Sequence, residues 1–249
     1  MMIKAERWLL IDNSNTRTKL MFAVEKQLSN ELHYIPTAEL TVERIREVVG
    51  EVDVSLVVVC SVVPGCRAVI SAAFECPVHF VSADSPMRMR FLYEGTSTLG
   101  ADRIVNALAV SELYHGPCIA VDAGTATTFD VVVPHNESPV YVGGAIAPGV
   151  SAFCNYLHQY TAQLPRVSIV PHCPAVGKNT VQAMQGGALY GFCGMVKGII
   201  ESMETELNTK LQVILTGGDG SLLLRNAKIT ANYVKCLTFY GLLHIAKHL

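Results

Sequence analysis

A short polar loop near the start of the chain carries residues suited to holding a phosphate group and a metal ion. The loop reads Asp12, Asn13, Ser14, Asn15, Thr16, Arg17, Thr18 and Lys19. Phosphate binding needs backbone N–H groups, hydroxyls and a cation, and a nearby acid can hold Mg²⁺ directly or through water. Asp12 supplies the acid, while Arg17 and Lys19 supply positive charge. An ordinary hairpin with an Asx-turn accounts for the same residue types, so this loop alone leaves both interpretations open.

The pattern recurs about 110 residues later. An apolar segment at 118–121 ends in Asp122, continues through small and hydroxyl-bearing residues to Thr128, and leads into a second apolar segment. A third turn, Thr216-Gly217-Gly218, offers bare backbone against which the adenosine of a nucleotide can lie. Three such turns favour a nucleotide site over three ordinary hairpins. The sequence contains neither a P-loop nor a Gly-x-Gly-x-x-Gly motif after a strand, which argues against those two nucleotide-binding classes.

A polar island lies between the two loops, at residues 99–107, and opens an apolar helix. An Asp helix cap followed by an arginine explains it structurally. In a cleft, however, Asp102 can accept a proton from a substrate hydroxyl while the guanidinium of Arg103 binds an anionic substrate. Phosphoryl transfer requires mainly alignment and charge neutralisation, so one such base and a metal ion suffice.

The elements that must position these residues alternate between strands and helices. Strand–turn–strand patterns cover both Asp-containing loops, and a buried strand is predicted at 54–59, with further strands at 141–146 and 212–215. Helices are predicted at 42–49, 151–164 and 180–205. The repeated loops indicate a duplicated α/β lobe, with lobes at 1–116 and 117–249 and ligands in the cleft at the strand ends.

Composition excludes several classes of protein. The chain has 249 residues, 50% of them hydrophobic and 16% charged, with a net charge of −2. It is therefore not expected to be disordered or to bind nucleic acid, which requires a concentrated basic surface. Eight cysteines without a Cys-x-x-Cys pair are typical of buried thiols. With no secretion signal and no apolar run of ~20 residues, we expect a cytoplasmic protein without a membrane partner.

Four glycines on the longest predicted helix share one face. Gly187, Gly191, Gly194 and Gly198 are spaced by four, three and four residues. Because each glycine costs a helix about 1 kcal/mol relative to alanine, the pattern indicates that another backbone comes close. Packing against a neighbouring helix of the same chain and a subunit interface or hinge both explain it.

In the order and spacing of its motifs, the chain resembles the type III pantothenate kinases nearly end to end. The matching segments are residues 12–19, Ser61-Val62-Val63-Pro64, Tyr93 with Gly100-Ala101-Asp102-Arg103, residues 122–128, 143–149 and 161–165, Asn179-Thr180 and Gly217-Gly218. The family belongs to the superfamily of acetate and sugar kinases, Hsp70 and actin. The resemblance therefore implies two duplicated ribonuclease H-like, actin-like lobes, each with a central mixed β-sheet, and an active site in the cleft between them.

The resemblance also implies a reaction and roles for individual residues. The reaction is ATP-dependent phosphorylation of pantothenate, the first step toward coenzyme A, by a homodimer that uses Mg²⁺ and a monovalent cation, K⁺ or NH₄⁺. Asp102 corresponds to the catalytic base and Asp122 to a ligand of the monovalent cation. Thr125 corresponds to an ATP contact, and residues 12–19 surround the phosphates. The pantothenate site corresponds to Tyr93, Gly100, Ala101, Asp102, Arg103 and Thr180.

The sequence departs from the family pattern at two places. Ser14 stands where the family loop has glycine, a residue that permits positive φ or close approach of phosphate, whereas serine adds a side chain that can donate a hydrogen bond. Residues 94–96, Glu-Gly-Thr, replace a segment that usually contains Asn-Pro. Two alternatives to an active pantothenate kinase follow: a catalytically weak member that binds pantothenate or nucleotide as a regulator, and a kinase for a different small hydroxylated acid.

Overall fold

The chain divides into two compact units in a computed structural model that describes residues 6–136 and 138–249. The first unit comprises the chain up to Leu113 together with Leu237–Leu249, and the second comprises Tyr114–Cys236. The first division lies close to the boundary expected at residues 116–117. The last helix differs from that expectation, because it packs with the first unit instead of the second.

The first unit is built on a mixed sheet. The strands of this sheet are β1 (Arg7–Asn13), β2 (Arg17–Val24), β3 (Gln27–Pro36), β4 (Leu56–Ser61) and β5 (Val78–Phe80). The first unit also contains the two-residue strand β6 (Arg90–Phe91), which is not part of this sheet. Its helices are α1 (Val42–Val49), α2 (Arg67–Ala72), α3 (Ala101–Leu113) and α7 (Leu237–Ala246), with 3₁₀ turns at Thr37–Glu39, Pro64–Cys66 and Thr96–Thr98. The sheet order is β3-β2-β1-β4-β5, with β1, β2 and β3 antiparallel and β4 and β5 parallel to β1.

The second unit repeats this arrangement. Its elements are β7 (Cys118–Ala123), β8 (Ala126–Val133), β9 (Val140–Pro148), α4 (Val150–Tyr160), α5 (Thr180–Glu206), β10 (Gln212–Thr216), α6 (Gly220–Asn226) and β11 (Ala231–Tyr233). These strands run in the order β9-β8-β7-β10-β11. Both hairpin pairs are antiparallel, and β10 and β11 run parallel to their neighbours. The same order and the same directions as in the first sheet support the duplication predicted from the two loops.

Apolar side chains on the central strands of each sheet form the cores. In the first unit, Leu9 and Ile11 of β1 pack in a cluster with Ile45 of α1 and Ile70 of α2. The other face of that sheet is covered by α3 and α7. In the second unit, β7 and β8 form a cluster with the buried face of α5, which includes Leu189, Phe192 and Val196. Central strands buried on both faces account for the continuous apolar runs in the sequence.

Within residues 6–136 and 138–249, no helix is both long enough and apolar enough to cross a membrane.

Candidate active site

The β1–β2 hairpin places the first polar loop at one end of the sheet. The backbone N–H of Ser14 donates to the carbonyl of Arg17 at 3.2 Å, which closes the turn. Asn15, Thr16 and Arg17 are exposed at the tip, whereas Asp12, Asn13 and Thr18 at the base are buried. The hairpin therefore presents exposed donors and one cation above a base of fixed polar groups.

The carboxylate of Asp12 is held from both sides. Asp12 lies opposite Lys19 in the antiparallel register, and the Lys19 Nζ lies 2.7 Å from Asp12 Oδ2. The hydroxyl of Ser14 donates to Asp12 Oδ1 at 2.9 Å. The carboxylate is thereby oriented by one charged and one neutral donor. The side chain of Asp12 is 5% exposed and that of Lys19 is 34% exposed, so only the lysine can reach outward.

A second set of hydrogen bonds fixes the backbone of the loop. Ser61, at the end of β4, donates to Asn13 Oδ1 at 2.7 Å, and Asn13 Nδ2 donates to Thr18 Oγ1 at 2.8 Å. Thr37 donates to the carbonyl oxygen of Ser14 at 2.7 Å, and its hydroxyl lies 3.1 Å from that of Thr18. Since Thr37 donates to the Ser14 carbonyl, Thr18 must be the donor to Thr37.

Two residues that hold this loop, Ser61 and Thr37, have no site role predicted from the sequence. Ser61 becomes a neighbour of Asn13 through the parallel register of β1 and β4. A prediction that β1 and β4 are neighbouring parallel strands would have placed Ser61 beside the loop, because Asn13 and Ser61 lie at the same end of the sheet. Thr37 follows β3 and carries no recognisable motif, so its contact depends entirely on the tertiary structure.

Asp102 lies in the first turn of α3, where its Oδ1 accepts a hydrogen bond from the backbone N–H of Arg103 at 2.9 Å. Burial raises the pKa of the Asp102 carboxyl, and the neighbouring charge of Asp12 raises it further. The N–H and the positive charge of Arg103 oppose this shift without cancelling it. A carboxylate whose pKa lies closer to neutrality is a better general base at neutral pH than an ordinary aspartate.

The residues around Asp102 form a compact group. A Cβ placed on Gly100 would lie 2.5 Å from Asp102 Oδ1, so glycine leaves the space that this carboxyl occupies. The guanidinium of Arg103 lies 5.8 Å from the ring centroid of Tyr93, within cation–π range. Arg103 is 5% exposed. The first unit thus brings together the predicted base, the buried cation and Tyr93 beside the buried Ala101.

In the second unit, Asp122 lies at the end of β7, opposite Thr128 of β8 and Thr216 of β10. Thr125 is exposed in the adjoining turn, and its carbonyl accepts from the backbone N–H of Gly149 at 3.2 Å. Gly217 has φ +81°, and a Cβ there would overlap Asp122 Oδ1 and the carbonyl oxygen of Ala123. Glycine at 217 is therefore required both by its backbone conformation and by the lack of space.

Thr180 lies apart from this loop, at the first position of α5. The helix is capped by Asn179, whose Oδ1 accepts from the backbone N–H of Gln182 at 2.9 Å. Thr180 is exposed at a groove of about 440 Å³ that is also lined by Phe153, Leu157 and other apolar residues of α4 and α5. Within its unit the structure groups Asp122 with Thr125, and it places Thr180 at a separate groove.

The donor set of the first loop fits Mg²⁺ bound with a nucleotide. No group of three or more His, Cys, Asp or Glu side chains suited to a metal occurs in the described part of the chain. Mg²⁺ commonly keeps several waters and binds through one or two carboxylates and substrate phosphates. This mode of Mg²⁺ binding fits the loop, where the single buried carboxylate of Asp12 lies beside exposed hydroxyl and N–H donors.

Solved structures of other proteins share this fold. The chain is similar to a solved protein from Campylobacter jejuni described as a Baf family transcriptional activator, with a TM-score of 0.64 at 20% identity, over 96% of this chain and 97% of that one. It is also similar to a protein from Chromobacterium violaceum described as an N-acetylglucosamine kinase, with a TM-score of 0.54 at 14% identity, over 96% and 99% of the two chains. These likenesses confirm the expected α/β fold of two ribonuclease H-like lobes, the fold of actin-like ATPases and sugar kinases.

The family follows from the sequence comparisons. A model of the type III pantothenate kinase family matches residues 8–202. A type III pantothenate kinase of Akkermansia muciniphila is 40% identical over 235 residues, which cover 94% of this chain and 96% of that protein. The chain belongs to the type III pantothenate kinase family. At the level of the family, this confirms the enzyme class and function expected from the sequence, an ATP-dependent kinase that acts on pantothenate.

Proposed function

We propose that this protein transfers the γ-phosphoryl group of ATP to the primary hydroxyl of pantothenate, forming 4′-phosphopantothenate. The observation that carries the proposal is the carboxyl of Asp102, whose pKa is raised. It lies in the same unit as the β1–β2 hairpin and close enough to Asp12 for their charges to interact. A base of this kind can accept the proton of the attacking hydroxyl. Membership of the type III pantothenate kinase family indicates that the substrate is pantothenate.

In this proposal Asp102 is the catalytic base, and the guanidinium of Arg103 binds the pantothenate carboxylate. The cation–π contact between Arg103 and Tyr93 holds the cation in place. Gly100 and Ala101 shape the pantothenate site, and Gly100 does so by leaving space for the Asp102 carboxyl. Thr180 completes the pantothenate site, as the family resemblance implies. Its exposed hydroxyl at a partly apolar groove supports that role.

The ATP phosphates are proposed to bind the β1–β2 hairpin. The exposed residues Asn15, Thr16 and Arg17 offer donors, and Lys19 can turn from Asp12 toward a phosphate. Asp12 would hold Mg²⁺, directly or through water, and the bound ion would neutralise charge on the transferring phosphate. In the second unit, Thr125 is proposed to contact ATP and Asp122 to bind the monovalent cation, K⁺ or NH₄⁺.

A homodimer is proposed, with the glycine-lined face of α5 as its contact surface. Apart from the neighbouring residues and nearby backbone of α5 itself, no described atom lies within 4 Å of a Cβ placed on Gly187, Gly194 or Gly198. A Cβ on the fourth glycine of this face, Gly191, would meet the side chain of Phe153 at 3.6 Å. Packing within the chain therefore does not explain most of this face. A groove of about 550 Å³ lined by Gly194, Gly198 and apolar neighbours runs along the same helix. We expect sedimentation to give a dimer and Gly194→Glu to give a monomer, whereas Arg44→Glu on α1 should stay dimeric.

The proposed location is the cytoplasm. All eight cysteines are thiols rather than disulfides. Burial raises the pKa of several of these thiols, and that of Cys118 is raised to about 11. Thiols of this kind are typical of proteins kept in a reducing compartment. A redox-sensitive reporter fusion with compartment fractionation tests the location.

The deciding experiment is turnover by the purified protein. With ATP, Mg²⁺, K⁺ and pantothenate we expect 4′-phosphopantothenate and ADP in equal amounts, and a lower rate when Na⁺ replaces K⁺. Binding of pantothenate and ATP without ADP formation would select the regulatory alternative. Faster turnover of a sugar or acetate than of pantothenate would contradict the proposed substrate.

A further inference from the structure

The Asp12 carboxylate has two partners that differ in how far they can move. Lys19 lies 2.7 Å from Oδ2 and Ser14 lies 2.9 Å from Oδ1. The lysine side chain is long and one-third exposed, whereas the Asp12 side chain is nearly fully buried. A phosphate bound at the hairpin tip can therefore attract the ammonium group away from Asp12. The carboxylate cannot follow it.

The Ser14 hydroxyl, by contrast, is fixed by its backbone. The Ser14 N–H donates to the Arg17 carbonyl at 3.2 Å, and its own carbonyl accepts from Thr37 Oγ1 at 2.7 Å. The backbone N–H of Thr37 also donates to the Thr16 carbonyl at 3.1 Å. The main chain of the loop is thus fastened on both sides of Ser14, and this leaves the hydroxyl aimed at Asp12.

Serine occupies this position without backbone strain. In the described chain, non-glycine residues with positive φ are Glu25, Lys26, Asn208 and Lys228. The loop conformation therefore does not require glycine at 14. The side chain adds a donor that glycine cannot supply.

We propose that Ser14 is a positioning residue: its hydroxyl keeps the Asp12 carboxylate oriented and hydrogen-bonded while Lys19 exchanges Asp12 for a nucleotide phosphate. This inference rests on the proposed kinase function, since it needs a phosphate ligand at the hairpin. When Lys19 turns away, the Mg²⁺ proposed to bind with the nucleotide would replace it as the charged partner of Asp12. A hydrogen bond from a neighbouring group keeps a metal-binding carboxylate in the orientation that the ion needs. The bond from Ser14 would do this for Asp12, so it favours nucleotide binding.

The test compares Ser14→Ala with Ser14→Thr, which keeps a hydroxyl, and with Ser55→Ala as a matched control. Ser55 lies beside the opposite end of β1, where its hydroxyl donates to the Arg7 carbonyl at 3.1 Å. Calorimetry with Mg·ADP should show an approximately tenfold larger dissociation constant for Ser14→Ala, as expected for loss of one hydrogen bond to a charged group. Ser14→Thr should recover most of that affinity, and Ser55→Ala should bind as the wild type does.

A kinetic measurement separates positioning from a merely structural role. For Ser14→Ala the KM for ATP should rise about tenfold, while the KM for pantothenate stays within about twofold, because the residues proposed to bind pantothenate are untouched. Unchanged or tighter Mg·ADP binding by Ser14→Ala overturns the inference. So does equal loss in Ser14→Thr, or a fall in the unfolding midpoint without a change in affinity.

The binding measurement also distinguishes this inference from the proposed function. If the wild type binds Mg·ADP but does not phosphorylate pantothenate, the proposed function fails, and the comparison of Ser14→Ala with Ser14→Thr still decides the role of Ser14. If the wild type binds no nucleotide, the inference itself is refuted, because no phosphate ligand then reaches the hairpin.

Discussion

Replacing Asp102 with asparagine removes the base but preserves the shape of the side chain. A positioned general base contributes about 10²–10⁴ to a rate. The carboxylate whose charge acts on Asp102 is that of Asp12, and both oxygens of Asp12 already accept hydrogen bonds, at 2.9 and 2.7 Å. Since Asp12 is poorly placed to substitute, we expect kcat to fall by about 10³–10⁴, which corresponds to about 4–5.5 kcal/mol of transition-state stabilisation.

Most substitutions of buried residues lower the free energy of unfolding, but Asp102→Asn should not lower it at neutral pH. The pKa of Asp102 is raised in the folded protein, chiefly by burial, so the folded state binds the proton more tightly than the unfolded state. The stability that this group contributes is present at pH values below its ordinary pKa of 3.8 and is lost as pH rises through the folded pKa. Asparagine carries no charge to bury. At pH 7–8, Asp102→Asn should therefore be at least as stable as the wild type.

Two assays check this reasoning on one set of samples. Urea unfolding at pH 4 and pH 8 should show the advantage of Asp102→Asn at pH 8 and its decrease toward pH 4. The wild-type kcat/KM should fall with acid at a pH above that expected for an ordinary aspartate. Asp84→Asn, at an exposed aspartate, should change neither. A variant that keeps more than a tenth of wild-type kcat would refute the role of Asp102 as base, and lower stability at pH 8 would refute the account of its pKa.

The remaining predictions concern the second unit. Gly217→Ala should destabilise the protein by about 2 kcal/mol or more, because φ is +81° and the methyl group meets Asp122 and Ala123. The control Gly218→Ala, with open space at its Cβ, should destabilise the protein much less. Equal unfolding midpoints of the two variants in urea would contradict the packing described for Gly217. Asn179→Ala should cost about 1 kcal/mol through loss of the α5 cap, and a change below about 0.3 kcal/mol in the same unfolding experiment would mean that the cap contributes little.

Local patterns predicted much of the fold. The apolar-and-charged spacing at 42–49 gives helix α1 with the bounds seen in the structure, and the long helix begins at Thr180 as expected and ends at Glu206, one residue beyond the prediction. The two Asp-containing loops are both strand–turn–strand hairpins. These elements were predictable because their signals are local: helical periodicity, a capping residue and polar turns between apolar runs.

Contacts made across the chain were not predictable in the same way. The helix expected at 151–164 ends at Tyr160, and α7 packs with the first unit, although its sequence follows the second. At the candidate site, Thr37 braces Ser14 across 23 residues of chain. The bond between Ser14 and Asp12 spans only two residues, but it forms because the surrounding backbone is fixed. Residue type alone therefore indicated the chemistry of this loop but not which groups hold one another.

The packing of α7 has a consequence for the order of events during synthesis on the ribosome. Leu237, Phe239 and Ile245 are buried in the first unit, and Thr238 donates to Asn106 of α3 at 3.1 Å. Residues 237–249 are translated after the whole of the second unit. Proteins emerging from the ribosome fold largely domain by domain. The second unit can therefore complete its core first. The first unit, which carries Asp12 and Asp102, cannot complete its core until α7 has been synthesised, and one face of its sheet stays partly uncovered until then.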